Sequence, residues 1–177
     1  MESFLTTVSQ LIRENGLPAL MIGGHAVTAL GHPRATFDLD LLIPRGAAEA
    51  WKAELTKLGF QPYAETDNFL QFEAQPGLPL PPVDLMLVDE DVFEIISSTK
   101  SDLPPIPTPD AKSMIALKLH AINQPSRENT AQDWSDVLAL VKHHKLSLDD
   151  PDFFAIVSKH GGEKAIERIK SAGLGDT

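Results

Sequence analysis

Cysteine is absent from the 177 residues, which excludes disulfides, thiolate metal sites and cysteine nucleophiles. No apolar run approaches the roughly 20 residues that a membrane-spanning helix needs. The opening MESFLTTVSQLIREN carries Glu2 and amphipathic spacing where an export signal has a basic start and an apolar core. A cytoplasmic protein without a membrane partner is expected. Positive charge is also scarce: 15 Lys and Arg against 25 Asp and Glu leave a formal net charge of −10. Phosphate backbones are bound mainly through clustered cations, so this balance argues against a broad nucleic-acid surface, though a local basic groove stays open. An acidic cleft favours a cationic partner such as an aminoglycoside. What remains is ordinary: 42% hydrophobic residues in a chain long enough for one domain, or for a compact α/β unit with a helical appendage.

The stretch LMIGGHAVTALGHPRATFDLDLLIP, residues 20–44, organises the rest. Leu20, Met21 and Ile22 form a short apolar run that stops at Gly23 and Gly24, and Ala26 to Leu30 supply helix formers for a turn or two. A glycine pair there lets backbone approach a ligand closely, and amides at such a turn can hold phosphate oxygens. After Pro33, the residues Arg34, Thr36, Asp38, Asp40 and Leu42 alternate with Phe37, Leu39, Leu41 and Ile43, the period-two pattern of a strand. Residues two apart on a strand lie about 6 to 7 Å apart on one side, so Asp38 and Asp40 share a face. Two carboxylates among leucines are costly without compensation, because desolvation and mutual repulsion both disfavour the anions. A divalent cation removes that cost, and oxygen-rich carboxylate sites suit Mg2+ or Mn2+.

The order and spacing, Gly23-Gly24, thirteen residues, then Asp38-Leu39-Asp40, resemble the signature of the nucleotidyltransferase superfamily related to DNA polymerase beta. The longer form, with Ala26 after the glycines and Arg34-Ala35-Thr36-Phe37-Asp38 leading in, is most similar to the small bacterial AbiEii/MenT-type nucleotidyltransferases. The resemblance implies a nucleoside triphosphate substrate, two metal ions on the paired aspartates, and Gly23 and Gly24, with Arg34 or Thr36, around the triphosphate. It also implies a third carboxylate on a later strand, which Asp84 in Val83-Asp84-Leu85-Met86-Leu87-Val88 matches; the alternative is an aspartate that caps this strand after a proline loop. The fragment Leu117-Lys118-Leu119-His120-Ala121, followed by Arg127 and by Asp133-Trp134-Ser135-Asp136-Val137, is similar to the family's later motifs. By that likeness Lys118 contacts phosphates and an aspartate on the next helix is required. Asp133 can instead cap its helix, whereas Asp136, beside Val137 and one turn before Leu140, lies at the edge of the buried face and is preferred. Lys118 sits on the apolar stripe Ala111, Ile115, Lys118, Ile122, where it either meets an anion or snorkels to water. Arg127 reads as a loop charge in preference to a substrate clamp, and His25, directly after the glycine pair, as a neutral histidine at a helix start, with contact to a triphosphate as the alternative; His143 and His144 read as solvent-facing and His160-Gly161-Gly162 as a helix stop.

Elsewhere the chain reads as helices over residues 2–15, 45–58, 91–98, 110–123, 130–143, 151–160 and 163–172, with short strands at 60–64 and 69–74. Two proline-rich loops, 76–82 and 104–109, interrupt it. The expected architecture is a small mixed α/β (α+β) sheet built from residues 20–23, 37–43 and 83–88. Flanking helices complete a nucleotidyltransferase core over 1–103, and a helical subdomain over 104–177 closes its cleft. The expected activity is metal-dependent transfer of a nucleoside monophosphate to an acceptor hydroxyl, toxin-like, on RNA or another macromolecule and with a possible antitoxin protein. The alternatives are a small-molecule, antibiotic-type transferase and a non-catalytic nucleotide- or partner-binding homologue.

Overall fold

The computed structural model describes residues 2–103, 105–125 and 130–175. Two compact units divide it, one of residues 1–26 and 34–109, the other of residues 27–33 and 110–177.

The first unit holds a five-stranded mixed sheet in the order β1-β2-β5-β4-β3. The strands are β1 (Leu20–Met21), β2 (Leu39–Pro44), β3 (Phe60–Glu65), β4 (Phe69–Ala74) and β5 (Val83–Val88). Here β2 and β5 run parallel, while β1 pairs β2, β4 pairs β5 and β3 pairs β4 antiparallel. Strand β2 is buried on both faces over most of its length, with Leu39, Leu41, Leu42 and Ile43 all in the core, whereas β5 buries one face through Val83, Leu85 and Leu87 and leaves Asp84, Met86 and Val88 half-buried on the other. Asp40 and Asp84 interrupt these apolar strands. On β4 the alternation is clean, with Leu70 and Phe72 in the core and Phe69, Gln71 and Glu73 on the open face. The strand expected to start at residue 37 begins at Leu39, and Phe37 stands 72% exposed ahead of it.

Helix α1 (Glu2–Asn15) buries Phe4, Val8 and Leu11, spaced on one stripe, and Phe4 packs against Phe60 with ring centroids 5.7 Å apart. A 3-10 turn at Arg45–Ala47 leads into α3 (Ala48–Lys57), which anchors Trp51 and Leu55 in the core. The Trp51 indole donates to the Pro18 carbonyl at 3.2 Å. After α4 (Glu90–Ser98), the proline-rich stretch turns back along β1: Met21 N–H donates to the Pro107 carbonyl at 2.8 Å and the Ser9 hydroxyl to that of Pro105 at 2.6 Å.

Helix α2 (Gly23–Ala29) starts at the glycine pair, and its last residues belong to the second unit. That unit otherwise consists of α5 (Ala111–Ile122), α6 (Thr130–His143) and α7 (Pro151–Ser171). Asp110 caps α5 by accepting from Ser113 N–H at 2.7 Å, and Asp150 caps α7 by accepting from Asp152 N–H at 3.0 Å. The glycines expected to stop a helix break α7 internally: Gly162 adopts φ 66°, ψ −167°, conformations open to glycine alone, and α7 resumes beyond it. Among the described residues no helix is long and apolar enough to cross a membrane.

Candidate active site

Parallel pairing sets Asp40 of β2 directly opposite Asp84 of β5, and antiparallel pairing sets Gln71 of β4 opposite Asp84. Residues opposite one another on paired strands project to the same face, so Asp40, Asp84 and Gln71 form one row across the sheet. Asp38 lies just ahead of β2. One oxygen from each of Asp38, Asp40 and Asp84 comes within 4.8 Å of the others, and all three residues are half-buried. The three carboxylates expected from the sequence therefore meet at one place.

The glycine turn presses against them. Gly23 has φ 63°, and a Cβ built on it would lie 1.8 Å from Asp40 Oδ2. At Gly24 a Cβ would come within 2.4 Å of Thr36 Oγ1 and 2.9 Å of Arg34 Cζ. Gly23 is needed for contact as well as for conformation, and Gly24 for contact alone. Ile22 N–H ties the end of β1 to the Asp40 carbonyl at 3.0 Å, and the Thr36 hydroxyl donates to Asp38 Oδ1 at 3.1 Å. Gly23, Gly24, Arg34 and Thr36 thus gather beside Asp38 and Asp40.

Burial pushes the Asp84 carboxyl above the ordinary carboxylate range; the hydrogen bond from Gln71 opposes that shift and the nearby Asp38 charge adds to it. Its Oδ1 is buried and has no hydrogen-bond partner. A half-buried acid held among like charges, with an oxygen left bare, is what a cation would satisfy, and three carboxylate oxygens suit Mg2+ or Mn2+. The residues present fit such an ion.

Three neighbours complete the surroundings, and two of them carry no chemical signal in the sequence. Gln71 is one; a glutamine on a strand has no motif, and only the alternation of β4 together with its register reveals it. Tyr63 is the extra residue where the β3–β4 register shifts between Pro62 and Ala64, and it is 52% exposed. Bulges of this kind re-aim side chains beside active sites. Desolvation raises the Tyr63 hydroxyl's pKa, and the charges of Asp84, Glu73 and Asp38 add to the shift. The third is His25. Desolvation lowers its pKa against the pull of Asp38, leaving a neutral imidazole whose buried Nε2 has no hydrogen-bond partner.

The second unit contains its own charged cluster. Lys118 on α5 is 6% exposed, and its Nζ lies 2.8 Å from Asp133 Oδ1 and 2.8 Å from Asp136 Oδ2, both on α6. Gln132 Nε2 donates to Asp136 Oδ1 at 3.0 Å. Both acids weighed from the sequence therefore engage the same lysine. Arg127 lies outside the described residues.

Comparison with known proteins agrees with this geometry. Solved structures with the same fold include an antigenic nucleotidyltransferase-like protein from Paracoccidioides brasiliensis, 15% identical, with a TM-score of 0.59 over 98% of this chain and 92% of that one. The lincosamide antibiotic adenylyltransferase LnuA, bound to lincomycin, is 13% identical, with a TM-score of 0.60 over 79% of this chain and 96% of its own. The antibiotic-resistance factor ANT(2'')-Ia is 15% identical, with a TM-score of 0.58 over 96% and 91%. Among curated proteins no sequence matches significantly. A family model described as "Nucleotidyl transferase AbiEii toxin, Type IV TA system" covers residues 13–176, and with it the glycine pair, all three carboxylates and the Lys118 cluster; the chain is a nucleotidyltransferase and belongs to the AbiEii family.

Proposed function

We propose that this nucleotidyltransferase moves a nucleoside monophosphate from a nucleoside triphosphate to a hydroxyl of RNA or another macromolecule, in a metal-dependent reaction that releases pyrophosphate. The observation that carries the reading is the convergence of Asp38, Asp40 and Asp84 beside the Gly23-Gly24 turn. In this scheme the three carboxylates hold Mg2+ or Mn2+. A divalent ion bound there supplies charge neutralisation for the transferring phosphoryl group. The backbone amides of the glycine turn are assigned to the phosphate oxygens, with Arg34 and Thr36 beside them. The acceptor oxygen forms a bond to the α-phosphorus as the bond from that phosphorus to pyrophosphate breaks. The hydroxyl proton is assigned to Asp84, the third carboxylate of the group. By the family likeness, Lys118 is assigned a part in nucleotide binding and Asp136 a part in activity. In keeping with the family's description, the chain acts as a toxin countered by an antitoxin protein.

Two observations favour a second reading. The net charge of −10, and the exposed Tyr63 near Asp84 and Glu73, suit a small cationic acceptor of the antibiotic type.

The test is titration of the purified protein with each of the four nucleoside triphosphates, with and without Mg2+, comparing wild type with Asp40→Asn. Binding of one triphosphate that needs the metal and is lost in the variant supports the assignment. Absence of binding to all four would leave a nucleotide-free, partner-binding homologue. With the triphosphate identified, transfer of its α-phosphate label to cellular RNA, or to a lincosamide and aminoglycoside panel, separates the two acceptor classes.

A further inference from the structure

We propose that Gln71 is the positioning residue for Asp84, its side-chain amide pinning one carboxylate oxygen so that the other is presented to the cation. The inference rests on the metal-binding reading of the triad. Gln71 Nε2 donates to Asp84 Oδ2 at 2.9 Å. An ionised carboxylate only accepts hydrogen bonds, so the amide nitrogen, and not its oxygen, must face Asp84. Oδ1 of the same carboxylate is buried without a hydrogen-bond partner. The two oxygens are thus in unlike states, one occupied by protein and one bare, and the bare oxygen belongs to a residue whose carboxylate lies within 4.8 Å of those of Asp38 and Asp40.

Each carboxylate of the triad has its own orienting contact. Asp38 receives the Thr36 hydroxyl from two residues upstream, and the Asp40 carboxylate occupies the space that a side chain on Gly23 would fill. Those two contacts lie within the glycine–aspartate stretch itself. Asp84 sits on a different strand, beyond the reach of that stretch's local geometry, and receives its contact from β4, where the antiparallel register delivers Gln71 opposite it. The β3–β4 hairpin, which the glycine–aspartate motif does not require, gains a role: it carries the group that fixes the third ligand. Outer partners of this kind typically contribute 10- to 100-fold to metal affinity. Gln71 is half-buried on the open face of β4, so replacing its head group opens no cavity in the core.

The experiment is Mn2+ binding followed by electron paramagnetic resonance on the full chain without nucleotide, for wild type, Gln71→Met, Gln71→Ala and Asp84→Asn, with melting temperatures taken in chelator. Methionine keeps the chain length and removes the donor. The expected result is about a 10-fold loss of Mn2+ affinity in both Gln71 variants, with metal-free melting temperatures within about 2 °C of wild type. Wild-type affinity in Gln71→Met beside weakened binding in Asp84→Asn would overturn the role of Gln71 and leave the metal reading standing. Wild-type affinity in Asp84→Asn, or no Mn2+ binding by the wild type, would overturn the metal reading and this inference together. A fall of more than about 5 °C in both metal-free Gln71 variants would assign the residue to the fold instead.

Discussion

Gly23 and Asp40 occupy each other's space: the position that a Cβ on Gly23 would take lies 1.8 Å from Asp40 Oδ2. The glycine also holds φ 63°, a conformation that side-chain-bearing residues rarely adopt. Gly23→Ala therefore meets two penalties, and the cheaper relief is to push the Asp40 carboxylate away from Asp38 and Asp84. Displacement of a catalytic group by about 1 Å can cost about 100-fold in rate. We expect Gly23→Ala to lose activity on that scale while remaining folded, as checked by nucleotide-transfer kinetics beside circular dichroism. Activity within a few-fold of wild type would show that the glycine–carboxylate contact does not matter.

On the proposed metal-binding role, Asp84 should link stability to metal. Burial raises its folded pKa above the ordinary carboxylate value, so the folded state disfavours the anion. A raised folded pKa means that the native chain is favoured below the unfolded pKa and loses that advantage as pH rises through the folded value. Metal-free Asp84→Asn should therefore melt higher than metal-free wild type at pH 7, and the gap should close at acid pH, below the ordinary carboxylate range. Adding Mg2+ should raise the melting temperature of the wild type and do little for the variant. Scanning calorimetry across pH, with and without Mg2+, checks both; a variant less stable than wild type in chelator at pH 7 contradicts the argument.

Asp150 behaves in the opposite sense. The hydrogen bond from Lys112, at 2.6 Å, and that from Asp152 N–H hold its carboxyl below the usual range. A depressed folded pKa gives stability that is present above the unfolded pKa and is lost as pH falls through the folded value. Asparagine also caps helices well, so Asp150→Asn removes mainly the charge. Unfolding midpoints of wild type and Asp150→Asn should differ at pH 6 and converge in strong acid. Equal midpoints at pH 6 would mean that Lys112 contributes nothing through this contact.

Much of this site was legible in the sequence because its parts sit close together along the chain. Gly23, Gly24, Thr36, Asp38 and Asp40 fall within one strand–turn–strand stretch, where local spacing fixes the geometry. Asp84 was reachable because an acid inside Val83–Val88 breaks an otherwise apolar strand. The hairpin is legible as two strands but not as part of the sheet, because β3 buries only Phe60 and so shows no alternation. Its place in the sheet comes from the pairing of β4 with β5, which no local pattern shows. Gln71 and Tyr63 were missed for the same reason: one matters through register and the other through a bulge, and neither leaves a trace in composition. Phe37 matched the apolar face by period, yet it precedes the first paired residue of β2 and points to solvent. The helices were read more easily, since caps such as Asp110 and breaks such as Gly162 are local. The pairing of Lys118 with both Asp133 and Asp136 needed the packing of α5 on α6.

That pairing yields the last prediction. A buried lysine between two buried aspartates costs several kcal/mol in desolvation, recovered only through close contacts, here at 2.8 Å on each side. Lys118→Met leaves two carboxylates facing each other with no cation, and breaking a buried pair in this way costs about 3–5 kcal/mol. Replacing all three groups, in Lys118→Met/Asp133→Leu/Asp136→Leu, removes the charges together and should recover much of that loss, because apolar replacements of buried ionic groups are often neutral. Urea unfolding at pH 7 distinguishes the cases. A single variant within about 1 kcal/mol of wild type would show that the cluster does not hold α5 to α6. If the triple variant regains stability and still transfers no nucleotide, the cluster serves the reaction as well as the fold. If it regains both, Lys118 is a structural residue and its assigned role at phosphate falls.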